Sequence, residues 1–169
     1  RVSLSVAGAA VFFATLIGVP IGLVASYIGG RFENILMRII DVFVCLPEIF
    51  VAIVAMAFLE HSMQTLIFTI GLLYFPQFAR VTYSVSASII NKDYILSATS
   101  LGASGPWIVF REILPNIVAP IIVIGTVRVA NAIIRESTLS FLGLGVPITE
   151  PSLGSLINEG YQVLFSGLW

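Results

Sequence analysis

From Val2 to Ile28 the chain carries no charged side chain. At about 1.5 Å rise per residue, a helix over this run outreaches the ~30 Å hydrocarbon core of a bilayer, so it can cross with some tilt. It is also too long for a signal peptide and lacks a cleavage-site break. Three further apolar runs follow, at about Ile35 to Leu59, Met63 to Ala79 and Ile117 to Ile134. Only 10% of the residues are charged and 58% are hydrophobic, whereas a soluble domain averages about 25% charged. In water this composition would leave far too much apolar surface exposed, and lipid resolves that. The expected fold is an all-α, polytopic transmembrane helix bundle with about four spans, forming one domain over residues 1–169. A net charge of −1 points to neither nucleic acid nor a charged scaffold as partner.

The first span carries Ala10, Ala14, Gly18, Gly22, Ser26 and Gly30 at four-residue intervals, a ridge of small side chains along one helix face. Such ridges let helix backbones approach closely. The expected neighbour is the second span, the fourth, or a partner chain; a ligand contact is the alternative. Pro20 should kink this helix. Gly29 to Asn34 reads as a turn, and Glu60-His61-Ser62 as a second, polar one. His61 has no partner at metal-ligand spacing and reads as solvated. The single Cys45 lies in an apolar run and reads as a buried small side chain.

Charges inside the spans are costly and normally face a bundle interior or water. Asp41 and Glu48, seven residues apart, share a helix face. Asp41 is expected to pair with Arg38, three residues earlier. Glu48 follows Pro47 and lies nearer mid-span, either lining a pathway or held protonated in a structural role. Arg128 falls close to mid-bilayer in the fourth span. It is expected to pair with a carboxylate such as Glu48 or to face a hydrated path. Arg135 and Glu136, further on, should snorkel to an interface. These five residues, Asp41, Glu48, Arg128, Arg135 and Glu136, are the pathway candidates.

Between the third and fourth runs lies the one long amphipathic segment, Tyr94 to Asn116. It reads as two short helices, broken at Leu101-Gly102-Ala103 and restarted at Ser104-Gly105-Pro106, where a Ser cap and an early Pro suit a helix start. Ile95, Ala98 and Leu101 form the stripe of the first helix. Trp107, Phe110 and Leu114 form that of the second. Pro115 ends this unit or opens the next helix. Such a knob is either a docking surface or a loop packed on its own protein. The third helix is expected to continue as an amphipathic piece through Ile90 to reach it. After the fourth span a Gly- and Pro-rich link, Gly143 to Pro151, leads to a short interfacial helix. Its stripe is Leu153, Leu156, Ile157, Tyr161 and Leu164, with Trp169 at headgroup level.

Basic residues mark sidedness. Arg31 and Arg38 flank the first connection, and Arg80, Lys92 and Arg111 the third; the second has none. The positive-inside rule places the first and third connections in the cytoplasm, and the second, with the 143–169 segment, outside. No GxxxxGK[ST] loop, HExxH, CxxC or Ser-His-Asp set occurs. The chain therefore reads as no enzyme, without a resident cofactor or metal.

Residues 92–116 resemble the cytoplasmic coupling loop of the membrane subunits of binding-protein-dependent ABC importers. That loop has the form Glu-Ala-Ala, three residues, Gly, nine residues, then a segment ending Leu-Pro. Ala98, Gly102, Ala103, Leu114 and Pro115 stand where the pattern expects them. Leu96 replaces the usual Glu, and Glu112 a frequent His. The run from Glu136 to Pro147, ESTLSFLGLGVP, and Met37 to Asp41 with Pro47 downstream resemble the dipeptide, oligopeptide and nickel permease branch.

The resemblance implies a permease subunit in a bacterial or archaeal cytoplasmic membrane, forming half of a path for peptides or a related solute such as nickel chelates. It implies ATP and Mg on separate cytoplasmic ATPase subunits, a second homologous permease, and an exterior substrate-binding protein. It further implies a coupling site at Tyr94, Ala98, Leu101, Gly102, Ala103, Glu112, Leu114 and Pro115. The family carries spans beyond both ends of this sequence, so the chain is expected to be incomplete. The rival readings are an ion-gradient-driven secondary transporter using Asp41, Glu48 and Arg128 as a charge relay, and a membrane scaffold without transport.

Overall fold

The first apolar run folds whole, as helix α1 (Val2–Ile28), and continues through Pro20. In the computed structural model, residues 1–145 and 152–167 are described. Among them the regular structure is helical throughout: α2 (Gly30–Cys45), α3 (Glu48–Phe58), α4 (Met63–Ile90), α5 (Asp93–Ser100), α6 (Gly105–Trp107), α7 (Leu114–Phe141) and α8 (Leu153–Ser166). The end of the expected link, residues 146–151, and Trp169 lie outside the described residues.

Two elements differ from their expected form. The expected turn from Gly29 to Asn34 shrinks to Gly29, at φ +67°, because α2 already begins at Gly30. The expected second span, Ile35 to Leu59, is two helices, α2 and α3, bent by 83° at the Leu46-Pro47 step. Proline lacks an N–H and disfavours helical conformation in the residue before it, and here the helix breaks, with Pro47 extended at ψ 107° as the N-cap of α3.

By length and composition, α1 and the continuous helix Gly105–Phe141 can each cross a membrane, and the bent α2–α3 pair would make a third span. Helix α4 is as long, at 28 residues. It becomes polar beyond Pro76, with Gln77, Arg80, Thr82 and three serines.

The chain divides into two compact units: Arg1–Phe13 with Leu46–Tyr74 and Val127–Trp169, and Ala14–Cys45 with Phe75–Thr126. In the second unit the small-residue ridge of α1 meets α4, not the second or fourth span. A Cβ at Gly18 would lie 2.5 Å from the Phe75 carbonyl and 2.7 Å from Phe78 Cβ, and one at Gly22 would strike Ala79 O. Only glycine permits this approach. Ala25, Met37, Ile40 and Ala79 bury together beside it. Asp41 pairs with Arg80 of α4 at 3.1 Å rather than with Arg38, because α2 packs beside α4. Tyr83 Oη also donates to the Glu33 carboxylate, tying the same two helices. Cys45 is exposed, at the open end of α2 beside the bend, and not buried as expected.

In the first unit, Gly71 of α4 sits against Ala10 O and the Phe13 ring of α1, and Phe13 stacks edge-on to Phe68 with centroids 5.0 Å apart. Helix α7 ends in a Schellman motif: Leu144 N–H bonds Leu139 O at 2.9 Å, Gly143 N–H bonds Ser140 O, and Gly143 takes φ +78°. Helix α8 opens on a capping box between Ser152 and Ser155. Its Gly154 lies against the Ser137 carbonyl, and Tyr161 meets Phe141 edge-on. The stripe Leu153, Leu156, Ile157, Tyr161 and Leu164 is exposed along its length.

Candidate functional site

The first candidate is the segment after α4. Helix α5 runs from Asp93 to Ser100 and closes on a Schellman turn. Ala103 N–H bonds Ala98 O at 3.1 Å, Gly102 N–H bonds Thr99 O at 3.0 Å, and Gly102 takes φ +86°. The glycine is required here because a Cβ is strained in the left-handed region. The restart comes at Ser104 with Pro106 in the first turn, though the Ser104 side chain makes no capping bond. No separate second helix forms. The chain passes from α6 through a π-helical stretch, Ile108–Ile113, straight into α7, so Pro115 opens the long helix and does not end a short one.

The π turn changes which side chains face inward. Leu114 N–H reaches back to Val109 O, five residues away. With that spacing Ile108 and Ile113 share a face and bury with Leu23, Ile89, Ile95 and Ile117. The expected stripe of Trp107, Phe110 and Leu114 assumed 3.6 residues per turn. Instead Trp107 and Phe110 are exposed, Phe110 by 69%, and Leu114 is half-buried. In α5, Ile95 is buried, whereas Leu101 is 89% exposed. Tyr94 and Leu96 are exposed as well. The segment thus has an inner apolar face fixed on its own unit and an outer apolar face that is exposed. Ala98 and Ala103 are half-buried at the turn; Pro115 is exposed and Glu112 half-buried. The Tyr27 hydroxyl lies against Gly105, and a side chain there would displace the tyrosine tip.

The second candidate lies in the other unit. Glu48, the first residue of α3, ion-pairs with Arg135 of α7, and its second oxygen lies 4.0 Å from Arg128. Arg135 Nε donates to Tyr74 Oη at 3.1 Å. The Arg128 guanidinium stands over the Tyr74 ring, 5.3 Å from its centroid. Three of the five pathway candidates therefore meet in one cluster. Arg135, expected to snorkel, is held by a nearby carboxylate and hydroxyl. Glu136 does not snorkel either. It is fully buried and accepts from Ser140 Oγ at 2.7 Å and from Ser137 Oγ at 3.5 Å. Asp41 belongs to the other unit. Tyr74 was missed, since a tyrosine in an apolar run looks like any span residue; its place one residue before the second unit gives no sequence signal.

Among the described residues no group of three His, Cys, Asp or Glu could hold a metal. What fold and site define is an all-α, membrane-associated helix bundle with a structured polar-and-apolar loop between long helices. Residues 18–168 match the family of binding-protein-dependent transport system inner membrane components, and the chain belongs to it. It is 38% identical over 169 residues to the dipeptide transport system permease protein DppC of Bacillus subtilis, covering 100% of this chain and 53% of that one. It is 36% identical over 159 residues to the glutathione transport system permease protein GsiD of Pectobacterium atrosepticum, covering 94% of this chain and 53% of that one. The chain spans little more than half the length of the curated relatives it matches. A solved structure of the MetNI methionine ABC transporter shares the fold: TM-score 0.76 at 16% identity, over 98% of this chain and 89% of that chain.

Proposed function

We propose that this chain belongs to a permease subunit of an ATP-driven importer for peptides, forming half of the path beside a second, similar permease. The relatives' names, dipeptide, oligopeptide and glutathione permeases, support the substrate class; a nickel cargo rests on sequence resemblance alone. ATP hydrolysis falls to a separate cytoplasmic subunit pair, which grips residues 92–116. The observation that carries this reading is the outer face of that segment. Tyr94, Leu96, Leu101, Trp107 and Phe110 are exposed on a turn whose inner face is firmly packed. Large apolar side chains held outward on a rigid mount suit a protein partner.

In this reading α4 also crosses, as the third span in chain order, its polar end on the cytoplasmic side with Arg31, Arg80, Lys92 and Arg111. Helices α4 and α7 carry the motion of the coupling segment towards the pathway. The 143–169 segment, with α8, lies at the outer interface and meets the substrate-binding protein. The experiment replaces Gly102 by Trp in the whole importer. ATP hydrolysis should persist while uptake is lost and the subunit stays in the membrane. Uptake at the wild-type rate would contradict the coupling role.

A further inference from the structure

The cluster at Glu48 brings two cations, the guanidiniums of Arg128 and Arg135, to one carboxylate. Glu136, next in sequence to Arg135, is buried and accepts its hydrogen bonds from its own helix, and it makes no ion pair among the described residues. The two arginines are not equivalent. Arg135 is close on Glu48 and also donates to Tyr74. Arg128 stands at 4.0 Å from the same carboxylate, beyond hydrogen-bond reach, and its buried Nε has no hydrogen-bond partner among the described residues. An unpaired guanidinium N–H inside a membrane helix is expensive, and it is the kind of donor a carboxylate satisfies. Tyr74 supports the Arg128 plane from one side through its ring; Nε is covered, but the side chain keeps 22% of its surface exposed, and a guanidinium suits a planar, two-oxygen acceptor.

We infer that Arg128 is a transient binding site for the carboxylate of the cargo, the C-terminal carboxylate of a peptide, with Glu48 and Arg135 holding it in place. The inference rests on the transport reading above. Glu48 then has a second role: it keeps the site from being a deep anion trap, because the cargo must compete with a resident carboxylate and is released again.

The test uses the whole importer in proteoliposomes, with trialanine and trialanine amide each supplied at concentrations that saturate the binding protein. Loss of one charge-assisted hydrogen bond predicts that Arg128→Gln lowers the ratio of trialanine uptake to amide uptake about tenfold. Arg128→Lys, which keeps the charge without the planar fork, should lower the preference for the free carboxylate by about threefold. An equal loss for both peptides would overturn the inference, and would point to a structural anion such as a lipid phosphate or a carboxylate of the second permease. An unchanged preference in either variant overturns it as well. If Arg128→Gln does not accumulate in the membrane, the Arg128→Lys preference decides. Absence of ATP-driven uptake of either peptide by the wild-type complex removes the transport reading and this inference together. Uptake with an unaltered preference removes only the inference.

Discussion

Single residues carry most of what can be checked. Gly102 sits at φ +86°, where a side chain costs roughly 1–2 kcal/mol. Replacing it by Val should loosen the turn that fixes Leu101, and ATP turnover should continue with uptake reduced severalfold, as measured in inverted vesicles. Glu48→Ala would leave two guanidiniums facing each other over Tyr74. A loss on the order of 3 kcal/mol is expected, read as a lower thermal midpoint of the solubilised subunit and weaker accumulation. Arg128→Ala should impair transport more than Arg31→Ala, since Arg31 is exposed; equal effects on initial uptake rate would remove Arg128 from the path.

At the scale of elements, α1 and α4 are held together by absence of side chains. Gly18→Leu should push α1 off Phe75 and Phe78, with a penalty of about 1–3 kcal/mol or more from overpacking. Gly8→Leu on the same helix has open space around its Cβ and serves as the control; thermal unfolding in detergent should separate the two. The ridge itself was legible in the sequence, as was the helix reaching Ile90 and the break after Ser100. Its partner was not, because four-residue spacing says that a face is smooth and nothing about what lies on it. Asp41 shows the same limit. Arg38 is near in sequence, yet Arg80 on another helix takes the pair. The bend at Pro47 was hidden by an apolar run that continued past it. The π stretch was hidden by assuming one helical period, and this turned Trp107 and Phe110 outward where a packed stripe was expected.

For the molecule as a whole, the candidate sites fall in different units, the loop in one and the Glu48 cluster in the other. Helices α4 and α7 contribute residues to both. The helix Gly105–Phe141 has 37 residues, or roughly 55 Å at 1.5 Å per residue, more than the ~30 Å that a bilayer core needs. One end must therefore stand out in water, and the amphipathic end that begins at Gly105 fits that demand. The central claim is that another protein grips this protruding end from the cytoplasmic side. The most direct measurement is cross-linking from a single thiol, Leu101→Cys in a Cys45→Ser background, in membranes holding the complete importer. The account predicts a cross-link to the nucleotide-hydrolysing subunit whose yield changes when ATP is added. Labelling of that thiol from outside intact cells, with no such cross-link, would contradict it.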